Sequence, residues 1–231
     1  MNKILLITPT YNEASNIQKF IDSAEGIDEI DLLVVDDNSP DGTADIVTVN
    51  IKKNKKLYLI SRTGKLGLGT AYLEGFEWFL NSNYDFCVQM DSDFSHSFED
   101  LVKLLKFRRD ADLVIGSRYI SGGSTKGWST YRRLLSKYAN ILSKSILRSN
   151  INDLTGGFKI LSRDVIAEIL KSKPSSNGYT FQIEVNNLIE RKKFKIIEVP
   201  ITFVEREYGK TKMNYQIIIE AIKYLFKSNN K

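Results

Sequence analysis

Short apolar runs alternate with helix-like segments through the first half of this 231-residue chain, and each run ends in polar residues. The apolar runs are typical of strands that are buried on both faces of a sheet. They cover residues 3–11, 30–39, 56–62, 85–90 and 111–119. Strands that alternate with helices predict an α/β fold with a Rossmann-like, doubly wound and mostly parallel sheet.

The polar strand ends predict where a site lies. In an open parallel sheet, ligands bind outside the carboxyl ends of the strands. Polar clusters in this chain fall at those ends, at residues 8–13, 36–39, 91–93 and 116–118. We therefore expect these clusters to meet at one edge of the sheet.

Asp91 and Asp93 directly follow the buried run FCVQM. They are either a solvated turn or the ligands of a cation, because two acids at i and i+2 can converge where a strand runs into a turn. Mg²⁺ and Mn²⁺ prefer oxygen ligands and often bridge one or two carboxylates to substrate phosphates. The position beside three other polar strand ends favours a divalent metal site.

The composition argues against several classes of protein. Cys87 is the only cysteine and His96 the only histidine, which excludes internal disulfides and disfavours Ser-His-Asp, Cys-His and multi-histidine metal chemistry. The net charge of +5 fits phosphate-bearing ligands or an anionic membrane surface. No Lys/Arg-rich block indicates a nucleic-acid partner.

The sequence indicates no membrane-spanning segment, because no run approaches the ~20 apolar residues that a span needs. The start of the chain lacks the pattern of a signal peptide, so we expect a cytoplasmic protein that is soluble or peripheral at the cytoplasmic face of a membrane. Two amphipathic, partly basic helices are predicted at 131–147 and 214–228. Each either packs on the core or lies at a membrane interface, and core packing is favoured for 214–228.

The glycine-rich stretch GKLGLGT at 64–70 suggests a nucleotide loop but matches neither the P-loop nor the dinucleotide spacing. The remaining interpretation is a tight loop that caps a helix, with Lys65 available to a ligand. Several cationic residues lie among glycine-bearing stretches and are either solvated or suited to phosphate oxygens. They are Arg118, Arg132, Arg133, Lys137 and Arg206.

Taken in order, the motifs of this chain resemble those of dolichol-phosphate mannose synthases, which are family 2 glycosyltransferases with the GT-A fold. The motifs are TPTYNEASNI, VVDDNSPDGT, RTGKLGLGTAY, MDSDFSH, GSRYISGGSTKGW, DLTGGFKIL, YTFQIEV and VEREYGKTKM. The resemblance runs from about residue 3 to residue 225. It implies a single GT-A domain over 1–231, with a nucleotide-binding half at about 1–118, an acceptor-binding half at about 119–231, and a smaller C-terminal sheet and helix.

The resemblance also implies roles on the donor side. The residues that would hold the nucleotide are Pro9, Tyr11, Glu13, Asp37 and Lys65, together with Arg206 and Lys212 on a loop that closes over it. Asp91 and Asp93 would bind Mg²⁺ or Mn²⁺ and the diphosphate of the sugar nucleotide. Ser95 stands where some members have glutamine, and since serine reaches less far, either Ser95 or a water completes the metal's ligands.

On the acceptor side, the resemblance implies that Arg118, Arg132 and Ser136 grip a phosphate. Asp91, Asp93, Arg118 and Arg132 are therefore the expected catalytic residues. A phosphate monoester is already anionic at neutral pH and needs no strong general base, which suits a chain with one histidine.

The implied activity is transfer of mannose from GDP-mannose to a polyprenyl (dolichyl-type) phosphate with inversion. The implied partners are these two substrates, a membrane surface and a small membrane-anchoring subunit. The main alternative is a glucosyltransferase that uses UDP-glucose. A non-catalytic sugar-nucleotide-binding subunit is disfavoured by the intact acids and arginines, and a processive polysaccharide synthase by the lack of a QxxRW motif.

Overall fold

A computed structural model of the protein describes residues 3–176, 178–205 and 224. The strands of the described part are β1 (Ile4–Thr10), β2 (Ile30–Asp36), β3 (Leu57–Ser61), β4 (Phe86–Gln89), β5 (Leu113–Ser117), β6 (Ser124–Lys126), β7 (Lys159–Ser162), β8 (Ile196–Pro200) and β9 (Thr202–Val204). The helices are α1 (Ala14–Glu25), α2 (Thr43–Ile51), α3 (Leu68–Leu80), α4 (Phe98–Leu105), α5 (Thr130–Leu147), α6 (Arg163–Ser172) and α7 (Gly178–Arg191).

Seven strands form one sheet in the order β3-β2-β1-β4-β7-β5-β8. All neighbouring pairs are parallel except those of β7, which runs antiparallel between β4 and β5. The predicted doubly wound and mostly parallel sheet is therefore confirmed. Strands β6 and β9 form a separate small parallel sheet.

The strand order reverses at the centre of the sheet. The chain moves outward from β1 through β2 to β3, and then returns to the other side of β1 with β4. In open α/β sheets, the crevice at such a reversal, beyond the carboxyl ends of the strands, is where ligands bind. Here that crevice lies between the end of β1 and the end of β4, and residues 91–93 come one residue after β4.

Helices cover both faces of the main sheet because its strands are apolar on both sides. Residues of β1 alternate between the two cores, with Ile4 and Leu6 in one and Leu5 and Ile7 in the other. The first core includes buried residues of α1, α2 and α4, and the second includes buried residues of α3, α6 and α7. Both layers therefore hold the carboxyl edge of the sheet in place.

The backbone differs in two places from what the residue pattern predicts. The apolar run at 195–206 is typical of a strand, and its described part forms two, β8 and β9, which belong to different sheets because β8 ends at Pro200. A proline has no N–H to continue a ladder. By residue type, Asn12 and Ser15 are the candidate caps of α1, but the N-cap position is Glu13, whose side chain makes no capping hydrogen bond. Asp41 instead accepts the N–H of Ala14 at 2.9 Å.

The predicted helix 214–228 lies outside the described residues apart from Tyr224, whose hydroxyl accepts a hydrogen bond from Nδ2 of Asn187 at 3.0 Å. Among the helices of the described ranges, none combines the length and the apolar character needed to cross a bilayer.

Candidate active site

Asp91 and Asp93 lie just beyond β4, in the crevice where the strand order reverses. The hydroxyl of Tyr72 on α3 lies 3.4 Å from Oδ1 of Asp91, and the backbone N–H of Ser95 donates to Oδ1 of Asp93 at 3.0 Å. Burial, with the charge of Asp91, raises the pKa of Tyr72 well above its ordinary value, so the phenol remains a hydrogen-bond donor. Sequence reasoning missed Tyr72, because its spacing marks it only as a core residue of α3.

The acids at this edge suit a metal ion that takes some of its ligands from the protein and the others from a substrate. Within residues 3–176, 178–205 and 224, no group of three or more histidine, cysteine, aspartate or glutamate side chains is placed to hold an ion. Two partly exposed carboxylates, Asp91 and Asp93, are present instead. Hard oxygen ligands of this number fit Mg²⁺ or Mn²⁺, which bind through one or two carboxylates plus substrate phosphates. Ser95 is 2% exposed, and its predicted role as a ligand stays a prediction.

The residues expected to hold the nucleotide lie at the ends of β1 and β2 and in the loop before α3. The Lys65 ammonium lies 3.9 Å from the centre of the Tyr11 ring. Asp37 is buried and accepts the N–H of Gly67 at 2.9 Å. Pro9 belongs to β1 opposite Val35.

Arg62 organises this loop and was missed by sequence reasoning. Its guanidinium forms a close ion pair with Asp37 and donates to Glu74 and Thr70, both at 2.9 Å. A buried charge pair of this kind is stable only when the remaining donors also find acceptors, as they do here. Glu13, which follows β1, accepts from Asn16 at 2.8 Å.

Arg118 follows β5 and is bound to a buried aspartate. Its Nε and Nη2 donate to the two carboxylate oxygens of Asp153 at 2.8 and 2.7 Å, and its backbone N–H donates to Asp153 at 2.9 Å. Nη2 also donates to Thr155 at 2.7 Å. Burial alone would raise the pKa of Asp153, but the charge and hydrogen bonds of Arg118 lower it below its ordinary value.

Arg132 and Ser136 on α5 reach the same region as Arg118. The Arg132 guanidinium lies 4.3 Å from the centre of the Trp128 ring, and that of Arg118 lies 5.7 Å from it. The hydroxyl of Ser136 lies 2.7 Å from that of Tyr119, over which Arg118 also stacks. The structure therefore brings the three predicted acceptor residues together around two aromatic rings, while their role stays a prediction. Arg206 and Lys212 lie outside the described residues.

The single histidine does not face the crevice as a base. His96 is 4% exposed, and its ring lies 4.7 Å from that of Phe158 and edge-on to Phe203 at 5.0 Å. Burial lowers the pKa of His96 to about 4, which the nearby Asp93 partly opposes. The imidazole is therefore neutral at pH 7 and packs as an aromatic side chain.

The sequence matches a known family over most of its length. Residues 5–170 match the family model described as "Glycosyl transferase family 2". The chain belongs to glycosyltransferase family 2. This confirms the family that the motifs indicated.

Two curated relatives in family 2 are similar over nearly the whole chain. The undecaprenyl-phosphate mannosyltransferase of Micrococcus luteus is 40% identical over 221 residues, which is 95% of this chain and 91% of the relative. The polyprenol monophosphomannose synthase of Mycolicibacterium smegmatis is 41% identical over 223 residues, covering 95% of this chain and 84% of the relative. The resemblance to polyprenyl-phosphate mannose synthases is thereby confirmed.

Solved structures of glycosyltransferases share the fold. Glucosyl-3-phosphoglycerate synthase from Mycobacterium tuberculosis, in complex with Mn²⁺, UDP and phosphoglyceric acid, matches 99% of this chain and 78% of its own with a TM-score of 0.72 at 19% identity. The mannosyltransferase PcManGT from Pyrobaculum calidifontis, in complex with GDP-Man and Mn²⁺, matches 98% of this chain and 70% of its own with a TM-score of 0.59 at 17% identity. This family 2 protein therefore has the GT-A fold.

Proposed function

We propose that this family 2 enzyme transfers mannose from GDP-mannose to a polyprenyl (dolichyl-type) phosphate, with inversion at the anomeric carbon. The observation that carries the proposal is the pairing of two subsites at one sheet edge. Asp91 and Asp93 offer carboxylates beyond β4, where Asp91 lies beside Tyr72 of α3, and Arg118 and Arg132 gather around Trp128. The names of the two curated relatives support the same acceptor and sugar.

The division of the chain follows from these subsites. We assign nucleotide binding to about 1–118 and acceptor binding to about 119–231. The acceptor phosphate is an anionic nucleophile, so positioning it against an anionic donor is the main task, and arginine forks suit that task. The neutral, core-packed His96 fits a reaction that needs no general base.

Asp91 and Asp93 would hold a divalent metal, Mg²⁺ or Mn²⁺. When bound, it supplies positive charge that stabilises the nucleoside diphosphate leaving group. Tyr72 keeps Asp91 oriented through its phenol, and the N–H of Ser95 does the same for Asp93. These contacts hold the acids in place before the substrates arrive.

The transfer assay that tests this proposal uses a short polyprenyl phosphate, with radiolabelled GDP-mannose and UDP-glucose in parallel. We expect mannose transfer that stops on addition of EDTA and in Asp93→Ala. Glucose transfer in place of mannose would overturn the donor assignment, although the relatives' names do not favour it. EDTA-resistant transfer would overturn the metal assignment.

We further propose that α5 lies against a membrane surface. Its exposed apolar residues include Tyr131 (76%), Leu134 (48%), Tyr138 (66%) and Leu142 (53%). The helix buries polar residues instead, Asn140 and Ser143. The apolar face of α5 thus points away from the core.

A lipid surface is the occupant that fits this face. Arg133 and Lys137 are exposed on the same helix and suit anionic headgroups. Arg132 and Ser136, the proposed ligands of the lipid phosphate, also lie on α5. We therefore place the enzyme as a peripheral protein at the cytoplasmic face of a membrane, where a small anchoring subunit would strengthen a weak contact.

A further inference from the structure

Both arginines of the proposed acceptor site hold a carboxylate in this structure. Arg118 is bound to Asp153, and Arg132 forms a close ion pair with Glu205. An acceptor phosphate that binds these guanidinium groups must either add to the carboxylates or replace them. Which of the two happens depends on how firmly each carboxylate is held.

Asp153 is held too firmly to leave. Its side chain is fully buried and accepts three hydrogen bonds from Arg118, one of them from the backbone. Removing one partner of such a buried pair leaves an uncompensated charge inside the protein, which is strongly unfavourable. Asp153 is therefore a permanent counter-ion that orients Arg118.

Within the described residues, the contact that holds the Glu205 carboxylate is its ion pair with Arg132. The side chains of Arg132 and Glu205 are 20% and 36% exposed, so water can replace each partner of the pair. The backbone of Glu205 is fixed at the end of the small sheet, where its N–H donates to the carbonyl of Lys126 at 2.8 Å. The carboxylate can thus swing away from Arg132 while the chain stays in place.

We propose that the carboxylate of Glu205 occupies the position on Arg132 that the acceptor phosphate takes, so that acceptor binding displaces it. This inference rests on the proposed function and names Glu205 as a residue that sets affinity at the acceptor site. Trp128 fixes the Arg132 guanidinium from one ring face at 4.3 Å, so either anion meets the same donors. Arg132 exchanges one anionic partner for another and is never left without one.

The exchange also has a consequence for product release. In the proposed transfer, an acceptor phosphate oxygen forms a bond to the anomeric carbon while the bond to the nucleoside diphosphate breaks and its electron pair leaves with that group. The acceptor changes from a monoester with about two negative charges to a diester with one. The product therefore competes with Glu205 less well than the acceptor does, and Glu205 returns to Arg132.

The test is calorimetric titration of a short polyprenyl phosphate, and of its methyl diester, into the wild type and Glu205→Gln. Competition by Glu205 weakens both ligands by the same factor. We therefore expect both ligands to bind Glu205→Gln more tightly than the wild type, and by an equal factor. That factor is about three- to fivefold, because it corresponds to the free energy of a partly exposed ion pair. Weaker or unchanged binding of the monoester in Glu205→Gln would overturn the inference.

Glu29→Gln is the matched control. Glu29 pairs with Arg108 at 3.0 Å, and the side chains are 34% and 21% exposed, respectively. The Glu29→Gln substitution changes the net charge by the same amount as Glu205→Gln. This pair lies by the amino end of β2, away from the acceptor site, so we expect unchanged titrations. An equal gain in ligand affinity in Glu29→Gln would mean that the change in net charge causes the effect, which would overturn the inference. A wild type that binds no monoester would instead overturn the proposed function.

Discussion

The hydroxyl of Tyr72 and Oδ1 of Asp91 lie 3.4 Å apart. This contact connects α3, which packs against the sheet, to the candidate metal site. The Tyr72 ring is fully buried and stacks on Phe181 of α7, with the ring planes 5° apart. The orientation of Asp91 therefore depends on the packing of α3 against α7.

Replacing Tyr72 by phenylalanine removes the donor and keeps the ring. We expect the Mn²⁺ or Mg²⁺ concentration for half-maximal transfer to rise about three- to tenfold, since hydrogen bonds to charged groups are worth about 1.5–3 kcal/mol and this one is long. The measurement is metal titration of activity, with direct Mn²⁺ binding as a second readout.

Tyr84→Phe is the control for this variant. The Tyr84 hydroxyl donates to Asp31 at 2.6 Å, near the amino ends of β2 and β4. Its loss should lower the free energy of unfolding by about 1–2 kcal/mol and leave the metal dependence unchanged. Wild-type metal dependence in Tyr72→Phe would show that the phenol does not position Asp91.

Lys159 makes the stability of the fold depend on pH. It is fully buried, its ammonium donates to Oε1 of Gln182 at 2.6 Å, and burial lowers its pKa to about 7, which the charge of Asp153 opposes. The unfolded chain has the ordinary lysine pKa of about 10.4, so between pH 7 and 10 it binds more protons than the folded chain does. The free energy of unfolding contributed by this residue therefore rises with pH across that window.

Lys159→Met tests this prediction by urea denaturation at pH 7 and pH 9.5. We expect the wild type to gain stability relative to Lys159→Met between the two values, because methionine has no proton to lose. A difference between the two proteins that stays constant with pH would contradict the prediction.

Gly69 lets α3 approach the chain before α7 closely. A Cβ at this position would lie 2.7 Å from the carbonyl oxygen of Ser176 and 3.0 Å from the Phe181 ring. Gly69→Ala should therefore destabilise the fold by about 1–3 kcal/mol, although alanine is by itself the better helix former. Gly64→Ala is the comparison, since a Cβ there meets nothing within 4 Å. Thermal or urea unfolding of both variants measures this difference. Equal stability of Gly69→Ala and Gly64→Ala would contradict the close approach of α3 to the chain before α7.

The outward face of α5 predicts binding to vesicles. Replacing Leu134 and Leu142 together by glutamate should weaken co-sedimentation with anionic-lipid vesicles at least tenfold, because each buried leucine contributes about 1.5–3 kcal/mol. Val49→Glu on α2 is the control, since Val49 is an equally exposed apolar residue (54%) on another helix. Unchanged binding of the double variant would show that α5 does not contact the membrane.

The sequence by itself determined the alternation of strands and helices from β1 to β5, the mostly parallel sheet and the polar edge that carries Asp91 and Asp93. These features follow from the spacing of apolar residues over two to four positions and from the family motifs. They depend on residues that are close together in the sequence, so the residue pattern predicts them.

The tertiary structure decided which distant residues meet. It placed β7 antiparallel between β4 and β5, so that Lys159 pairs with Gln89 and Ile115. It brought Tyr72 to Asp91, and it turned the apolar face of α5 outward. A helix pattern tells which residues share a face, but the packing of the remaining elements decides whether that face meets the core or the surroundings.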